Sequence, residues 1–183
     1  VYPDTDQSIP ARFARAFAYS QVSDKDKALA TLDGLLKDIP DDPYILELKA
    51  QVLFESGDVA RALVPFNRAV NIIPEEPLIR FEYARALIES PASGDLENAV
   101  EQLKFALSRE PKFASGWRNL GIAYGRLGDK GRSSIALAEE AILKGDFAAV
   151  NYHAGRAAEI FPRGSREWLQ AEDLLLAAKN TKK

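Results

Sequence analysis

Residues 117–129 read WRNLGIAYGRLGD, and this stretch decides the fold. It is a helix-like apolar segment that ends in a turn-forming Gly-Asp pair. Similar pairs recur along the chain, at Ser23-Asp24, Gly57-Asp58, Gly94-Asp95, Gly128-Asp129 and Gly145-Asp146. The intervals between them are 34, 37, 34 and 17 residues. A turn that recurs every 34 residues between apolar helical stretches predicts an array of helix pairs.

Other positions keep the same register when each unit is numbered so that the turn pair falls at positions 15 and 16. Small residues stand where the two helices of a unit are expected to touch: Ala16, Ala50, Ala84 and Gly121 at position 8, and Ala28, Ala62 and Ala99 at position 20. Bulky apolar residues stand at position 24, namely Leu32, Phe66 and Leu103. Prolines, which cannot continue a helix, stand at position 32 as Pro40, Pro74 and Pro111.

The fourth unit carries the pattern W-x2-L-G-x2-Y as Trp117, Leu120, Gly121 and Tyr124. Together with the 34-residue period, this pattern resembles the tetratricopeptide repeat (TPR) family. The resemblance implies an all-α TPR solenoid of about five antiparallel helix pairs, which offers a long surface to another protein. Residues 1–8 are expected to be a linker or arm. Residues 9–183 are expected to form the solenoid domain, including a C-terminal capping helix.

Two irregularities interrupt the period. The third unit has three extra residues in its turn, where Ser90-Pro91-Ala92-Ser93 precedes Gly94-Asp95. A loop of this size adds little closure entropy and need not disturb the stack. The last interval, 17 residues, is half of 34, so the segment 132–144 serves as the second helix of one unit and the first helix of the next. We therefore expect a half-repeat phase change near residue 145.

The pattern predicts ten helices and three of their N-caps. Asp58 and Asp95 are expected N-caps, since a carboxylate there accepts hydrogen bonds from first-turn amides. Ser165 is expected to cap the last helix. The predicted helices span residues 8–22, 25–38, 43–56, 59–73, 77–90, 96–109, 114–127, 131–144, 147–160 and 165–179.

Composition narrows the classes of function. The 183 residues include 24 basic and 27 acidic ones, and the net charge of −3 argues against general nucleic-acid binding. No apolar run approaches the ~20 residues needed to cross a bilayer. The lack of cysteine excludes disulfides and thiolate zinc sites. Because the chain begins with Val1 and contains no Met, it is expected to be an excised fragment or a processed product.

No pattern in the sequence indicates catalysis, a cofactor or a metal. His153 is the only histidine, so it cannot support a convincing Ser-His-Asp triad or a multi-histidine metal site. We expect it to be a surface or hydrogen-bonded residue. The acidic pairs Asp41-Asp42, Glu75-Glu76 and Glu139-Glu140 are expected to be solvated, because neighbours in sequence do not share a helix face. The glycines within 121–131 lack the Gly-Lys-Ser/Thr ending of a phosphate loop.

The candidate binding surface follows from the geometry of the repeat, in which the first helix of each unit lines the concave face through positions 2, 5, 6, 9, 12 and 13. This face mixes aromatic side chains with both signs of charge, which suits recognition of a peptide or protein. Each aromatic could instead pack between units. The candidate groove residues are Phe13, Phe17, Tyr44, Glu47, Gln51, Phe54, Phe81, Glu82, Arg85, Glu89, Arg118, Asn119, Ile122 and Arg126.

A more specific resemblance covers about residues 10–176. The segments that carry it are 43–44, 47–51, 117–128, 137–141, 144–146, 157–162 and 165–173. They are similar to the C-terminal TPR region of BepA/YfgC-type bacterial zinc metalloproteases, including its half-repeat phase change. In that family an N-terminal domain holds zinc through HExxH, and the TPR region packs against it and engages substrates or the outer-membrane assembly machinery in the periplasm. This chain contains no HExxH, so no metal or catalytic residue is carried over.

Two functions follow from these observations. The first is the noncatalytic, substrate- or partner-engaging TPR region of a periplasmic zinc metalloprotease in cell-envelope protein quality control. Its partners would be the parent's own metallopeptidase domain and outer-membrane assembly proteins. The alternative is a free-standing TPR adaptor that binds a peptide or protein in its concave groove. Neither function requires a cofactor in this chain, nucleic acid or a membrane span. The periplasm follows from the resemblance, whereas the absence of cysteine fits the cytoplasm equally well.

Overall fold

The chain is all-helical over residues 5–180, the part that the computed structural model describes. The predicted helices are confirmed, with every boundary within one residue. Residues 1–4 of the predicted arm lie outside the described residues. The helices are α1 (Ile9–Gln21), α2 (Lys25–Asp38), α3 (Pro43–Glu55), α4 (Val59–Ile72), α5 (Pro77–Glu89), α6 (Asp95–Arg109), α7 (Ala114–Arg126), α8 (Lys130–Lys144), α9 (Phe147–Ile160) and α10 (Arg166–Asn180).

The recurring turns share one backbone conformation. Gly57, Gly94, Gly128 and Gly145 have φ angles between 72° and 89°, and Ser23 has φ of 57° at the equivalent position. Glycine reaches this left-handed region without the steric penalty that a Cβ atom brings. This requirement explains why glycine marks four of the five turns.

The chain divides into two compact units, Val1–Ser90 (unit 1) and Pro91–Lys183 (unit 2). Unit 1 contains α1 to α5, and unit 2 contains α6 to α10. Within the units, α1/α2, α3/α4, α7/α8 and α9/α10 pack as antiparallel pairs typical of a TPR solenoid. The division falls inside the insertion of the third repeat. The assignment of residues 9–183 to one domain stays a prediction.

Small residues bring the helices of a pair into close contact, as the repeat register predicts. The alanines at these positions in unit 1 are fully buried, namely Ala16, Ala28, Ala50 and Ala62. In unit 2, a Cβ atom added to Gly121 of α7 would lie 2.9 Å from the Leu137 side chain of α8. The Ser133 hydroxyl of α8 donates a hydrogen bond to the Gly121 carbonyl at 2.8 Å. Gly121 is therefore needed for the approach of α7 to α8.

The order of packing differs between the two units. In unit 1 the odd-numbered helices contact one another, α1 with α3 and α3 with α5, whereas in unit 2 the contact between next-but-one helices joins α8 with α10. Gly145, with φ of 72°, ends α8. The carboxylate of Asp146 then accepts a hydrogen bond from the Ala149 amide at 3.0 Å and caps α9. Even-numbered helices in unit 2 thus make the contact that odd-numbered helices make in unit 1, as a half-repeat phase change near residue 145 predicts.

The three predicted N-caps have different outcomes. Asp58 precedes α4, but its carboxylate accepts from the Arg61 guanidinium at 3.1 Å and from no first-turn amide. The prediction for Asp95 is wrong, because α6 begins one residue earlier than expected and Gly94 takes the cap position. The prediction for Ser165 is confirmed, since its hydroxyl accepts from the Trp168 amide at 3.2 Å.

Ala62→Leu should destabilise unit 1, because the added atoms have no space at a fully buried helix contact. Overpacking of this kind costs about 1–3 kcal/mol. The measurement is the urea unfolding midpoint followed by circular dichroism. Ala60→Leu is the matched control, since Ala60 is exposed on the same helix. Equal destabilisation by the two variants would contradict the role given to Ala62.

Candidate functional site

The aromatic candidate residues of unit 1 divide into exposed and packed groups. Phe17 of α1 and Tyr44 of α3 are 51% and 55% exposed, respectively. Phe81 of α5 is only 6% exposed. Phe13 packs against the buried cluster of α1, α2 and α3, and Phe54 is half-buried. Phe17 and Tyr44 are therefore the aromatic candidates most available to a partner, while Phe13 and Phe81 contribute mainly to packing.

Arg85 of α5 connects the candidate residues of α3 and α5. Its guanidinium carbon lies 5.3 Å from the ring centre of Phe54 and 6.0 Å from that of Phe81, both within the range of cation–π attraction. One guanidinium nitrogen lies 2.7 Å from a carboxylate oxygen of Glu82. These contacts hold Arg85 in one orientation, so the surface is partly ordered before any partner binds.

Glu47 of α3 has the most perturbed acidity on this surface. Burial, with the neighbouring carboxylates of Glu82 and Glu76, raises the pKa of Glu47 to about 7. Its carboxylate accepts a hydrogen bond from Gln51 at 3.2 Å, and no cationic side chain within residues 5–180 pairs with it. Burial also raises the pKa of Glu82, while the guanidinium of Arg85 opposes that rise.

We call Glu47, Gln51, Phe54, Glu82 and Arg85 the α3–α5 patch. It combines an aromatic ring, a fixed guanidinium and two carboxylates, of which only Glu82 has a cationic partner. A carboxylate with a raised pKa and no counter-charge marks a site suited to a ligand that donates hydrogen bonds. The remaining candidate of unit 1, Glu89, is exposed at the end of α5.

The candidate residues of unit 2 lie along α7 and carry mostly positive charge. Arg118 and Arg126 are exposed, and Ile122 is 40% exposed. The Asn119 side-chain amide donates to the Ser115 carbonyl at 2.9 Å, which turns it back onto its own helix. This stripe therefore carries one apolar side chain and two guanidinium groups, of which that of Arg118 also contacts Glu140 of α8, in contrast to the acid-rich composition of the α3–α5 patch.

Glu140 of α8 corrects the expectation that Glu139-Glu140 is a solvated pair. Glu140 is only 7% exposed. Its carboxylate accepts from Arg118 of α7 at 3.4 Å and also from the ammonium of Lys144. Burial is possible because these two cations offset the loss of hydration. The i, i+4 spacing of Glu140 and Lys144 is a sequence signal that could have predicted their ion pair. Nothing in the sequence indicates the contact of Glu140 with Arg118 of α7.

Members of the other acidic pairs have local structural roles. The Asp42 carboxylate accepts from the amides of Tyr44 and Ile45 at 3.0 Å and caps α3. The Glu76 carboxylate accepts from the Leu78 amide at 3.4 Å and caps α5. Glu76 also adds negative charge near Glu47, so a capping residue contributes to the electrostatics of the candidate site.

His153 of α9 differs from the expectation that it is either on the surface or hydrogen-bonded. Its Nδ1 atom is buried without a hydrogen-bond partner within the described part of the chain. The Tyr152 ring meets the imidazole edge-on, with ring centres 5.0 Å apart. Burial lowers the pKa of His153, and the positive charge of Arg156 lowers it further.

Residues 5–180 contain neither a metal-binding cluster nor a membrane-spanning helix. No group of three His, Asp or Glu side chains there is placed to hold a metal ion. None of the helices in that range combines the length and apolar character needed to span a bilayer.

Glu47→Gln should stabilise unit 1 above neutral pH. With a folded-state pKa of about 7 and an ordinary value of 4.5, Glu47 contributes stability that is fully present below pH 4.5 and is lost as pH rises through about 7. Glutamine mimics the protonated form and keeps the hydrogen bond from Gln51. The unfolding midpoints of the two proteins should therefore coincide near pH 4.5 and separate towards about pH 8.

The control for this prediction is Glu159→Gln, which changes an exposed glutamate of α9. It should leave the pH profile of stability unchanged. A constant difference between Glu47→Gln and the unsubstituted protein across the whole pH range would contradict the electrostatic origin assigned to Glu47.

Removing both cations from Glu140 should destabilise unit 2. In Arg118→Met/Lys144→Met the nearly buried carboxylate loses its two half-exposed partners, and leaving a buried acceptor unpaired costs about 1–3 kcal/mol. Adding Glu140→Gln to the double variant should recover much of that loss, because no buried charge remains. Urea denaturation of the three proteins tests the prediction. A triple variant that is no more stable than the double variant would show that the charge of Glu140 does not need cationic partners for stability.

Comparison of the sequence with known proteins identifies the family to which the chain belongs. The sequence profile described as "Tetratricopeptide repeat" matches residues 13–77 and 92–147. The "TPR repeat-containing thioredoxin TTL4" of Arabidopsis thaliana is 37% identical over 78 residues, which is 43% of this chain and 11% of that protein. This chain therefore spans about a tenth of the length of that curated relative.

Two solved structures have a similar fold. MamA superposes with a TM-score of 0.71 at 16% identity, covering 94% of this chain and 91% of MamA. YrrB, described as a TPR protein with an unusual peptide-binding site, superposes with a TM-score of 0.68 at 18% identity, covering 80% of this chain and 73% of YrrB. Because the repeat profile matches more than half of the residues, this chain belongs to the tetratricopeptide repeat family.

Proposed function

We propose that this chain is a noncatalytic protein-binding module whose unit 1 recognises a segment of a partner over α1, α3 and α5. The observation that carries the proposal is the exposure of Tyr44 beside the α3–α5 patch. Tyr44 and Glu47 are three residues apart on α3, so they are neighbours on one helix face. An exposed tyrosine beside a pre-ordered polar patch is typical of a residue that anchors a partner.

Charge favours a segment of partner that contains basic residues. The carboxylates of Glu82 and Glu76 both add negative charge near Glu47, and the cation Arg85 pairs with Glu82. A lysine or arginine of the partner would supply the counter-charge that Glu47 lacks. A peptide is the proposed ligand class, supported by the likeness in fold to YrrB.

A finer proposal concerns the kind of protein in which this module acts. The resemblance to BepA/YfgC-type proteins supports the noncatalytic half of a periplasmic zinc metalloprotease, with the parent's own peptidase domain and outer-membrane assembly proteins as partners. The TPR fold alone supports a free-standing adaptor equally well. The reading frame upstream of Val1 separates the two contexts. A secretion signal and HExxH there would support the protease, and their absence would support the adaptor.

Peptide binding by unit 1 can be tested with random peptides displayed on phage and selected on the whole chain. The enriched peptides should be basic, and fluorescence anisotropy should show that Tyr44→Ala weakens their binding by roughly tenfold, the typical loss at an aromatic anchor. Tyr152→Ala is the matched control, because Tyr152 is 59% exposed on α9, outside the candidate residues.

Either of two results would contradict the proposal for unit 1. One is enrichment of peptides whose affinity is the same for Tyr44→Ala and the unsubstituted protein. The other is an equal loss of affinity in Tyr152→Ala. Circular dichroism of both variants establishes that the fold is retained, so a loss of binding can be assigned to the surface.

A further inference from the structure

Unit 2 contains a groove that none of the candidate groove residues lines. It has a volume of about 840 Å³ and lies between α6 on one side and α8 with α10 on the other, above α7. Its floor includes Trp117, Leu120, Tyr124 and Ile135. On α7 this is a different stripe from that of Arg118, Asn119, Ile122 and Arg126. We call it the α6–α10 groove.

The far wall of this groove depends on the phase change, which places α10 against α8. Arg132 of α8 donates to the Glu167 carboxylate of α10 at 3.1 Å, and also to Asp129 at 2.9 Å. Gln170 of α10 donates to the Glu139 carboxylate of α8 at 2.8 Å. These bonds hold α10 beside α8, so the wall is formed before any ligand arrives.

The rim of the groove carries side-chain charges that have no ion-pair partner in the part of the chain that the structure describes. Glu97, Glu101 and Lys104 on the α6 wall, and Arg166 on the α10 wall, make no hydrogen bond or ion pair within residues 5–180. The two carboxylates lie one turn apart on α6, and Arg166 is on the opposite wall. Glu97 and Glu101 make the first part of the α6 edge acidic, with Lys104 beyond them, whereas Arg166 lies next to Glu167 on the opposite edge. The apolar floor between these edges calls for a ligand whose charges complement Glu97 and Glu101 on one side and Arg166 on the other.

We propose that the α6–α10 groove binds an amphipathic α-helix of a partner protein. The apolar stripe of that helix covers the floor, its Lys or Arg residues face Glu97 and Glu101, and its Asp or Glu residues face Arg166. The proposal goes beyond the function proposed for unit 1, because it is a second binding surface formed by other helices.

The walls of the groove favour a helix over an extended peptide. Extended peptides that bind by strand addition need an exposed sheet edge, whereas these walls are helices whose backbone groups are bonded internally. A helical ligand satisfies its own backbone and needs only side-chain contacts. The α6 wall from Glu97 to Ser108 is about 17 Å long at the helical rise, enough for about three turns of a bound helix.

A displayed library of amphipathic helices tests the proposal on the whole chain. The peptides have about 15 residues, the length at which an isolated helix becomes appreciably populated, with a fixed leucine stripe and edges randomised among Lys, Glu, Gln and Ala. We expect enrichment of peptides with a basic edge and an acidic edge. Their affinity should fall by roughly tenfold in Glu97→Lys/Glu101→Lys and recover when the basic edge of the peptide is changed to Glu.

Arg166→Glu provides the reciprocal test, with loss of binding and recovery when the acidic edge of the peptide is changed to Lys. The matched control is Glu159→Lys/Glu172→Lys, which changes two exposed glutamates of α9 and α10 outside the groove and should not change affinity.

The proposal is overturned if no helix is enriched or if the enriched peptides show no order of charge. It is also overturned if the control pair loses as much affinity, or if a central proline in the peptide is tolerated. Tyr44→Ala should leave this binding unchanged, so failure here is distinct from failure of the unit 1 site.

Discussion

The close contact between the two helices of a repeat is the constraint on which the rest of the structure depends. In unit 1 it is made by fully buried alanines such as Ala28 and Ala62, and in unit 2 by Gly121 against Leu137. Because a larger side chain at these points would separate the helices, the contact fixes which stripe of each helix remains exposed. The α3–α5 patch follows from this, since α3 and α5 present their remaining faces side by side.

The fold could be predicted from the sequence because the repeat is specified by local chemistry. A left-handed turn residue, a small residue at each helix contact and a proline after α2, α4 and α6 all leave a mark in the linear pattern. The two failures concern fine detail: Arg61 draws the Asp58 carboxylate away from the helix end, and α6 begins at Asp95 itself.

The candidate site was less accessible to sequence reasoning, because its properties come from neighbours on different helices. Periodicity places Glu47 and Arg85 on helix faces, but it does not reveal that Arg85 lies over Phe54 or that Glu82 and Glu76 add negative charge near Glu47. Likewise, the identity of Glu140 gives no sign that α7 supplies one of its cations. The α6–α10 groove combines residues of four helices, and no single helix pattern contains it.

The half-repeat shift at Gly145 has a consequence for how such a chain can change during evolution. A 34-residue duplication within unit 1 adds a complete helix pair and preserves the contacts between odd-numbered helices. The same duplication inserted after Gly145 joins the array through α8 and α10, so the copied first helices take the place of second helices. Tandem copying within unit 1 therefore keeps the existing packing order, whereas copying after Gly145 would have to adopt the α8–α10 order.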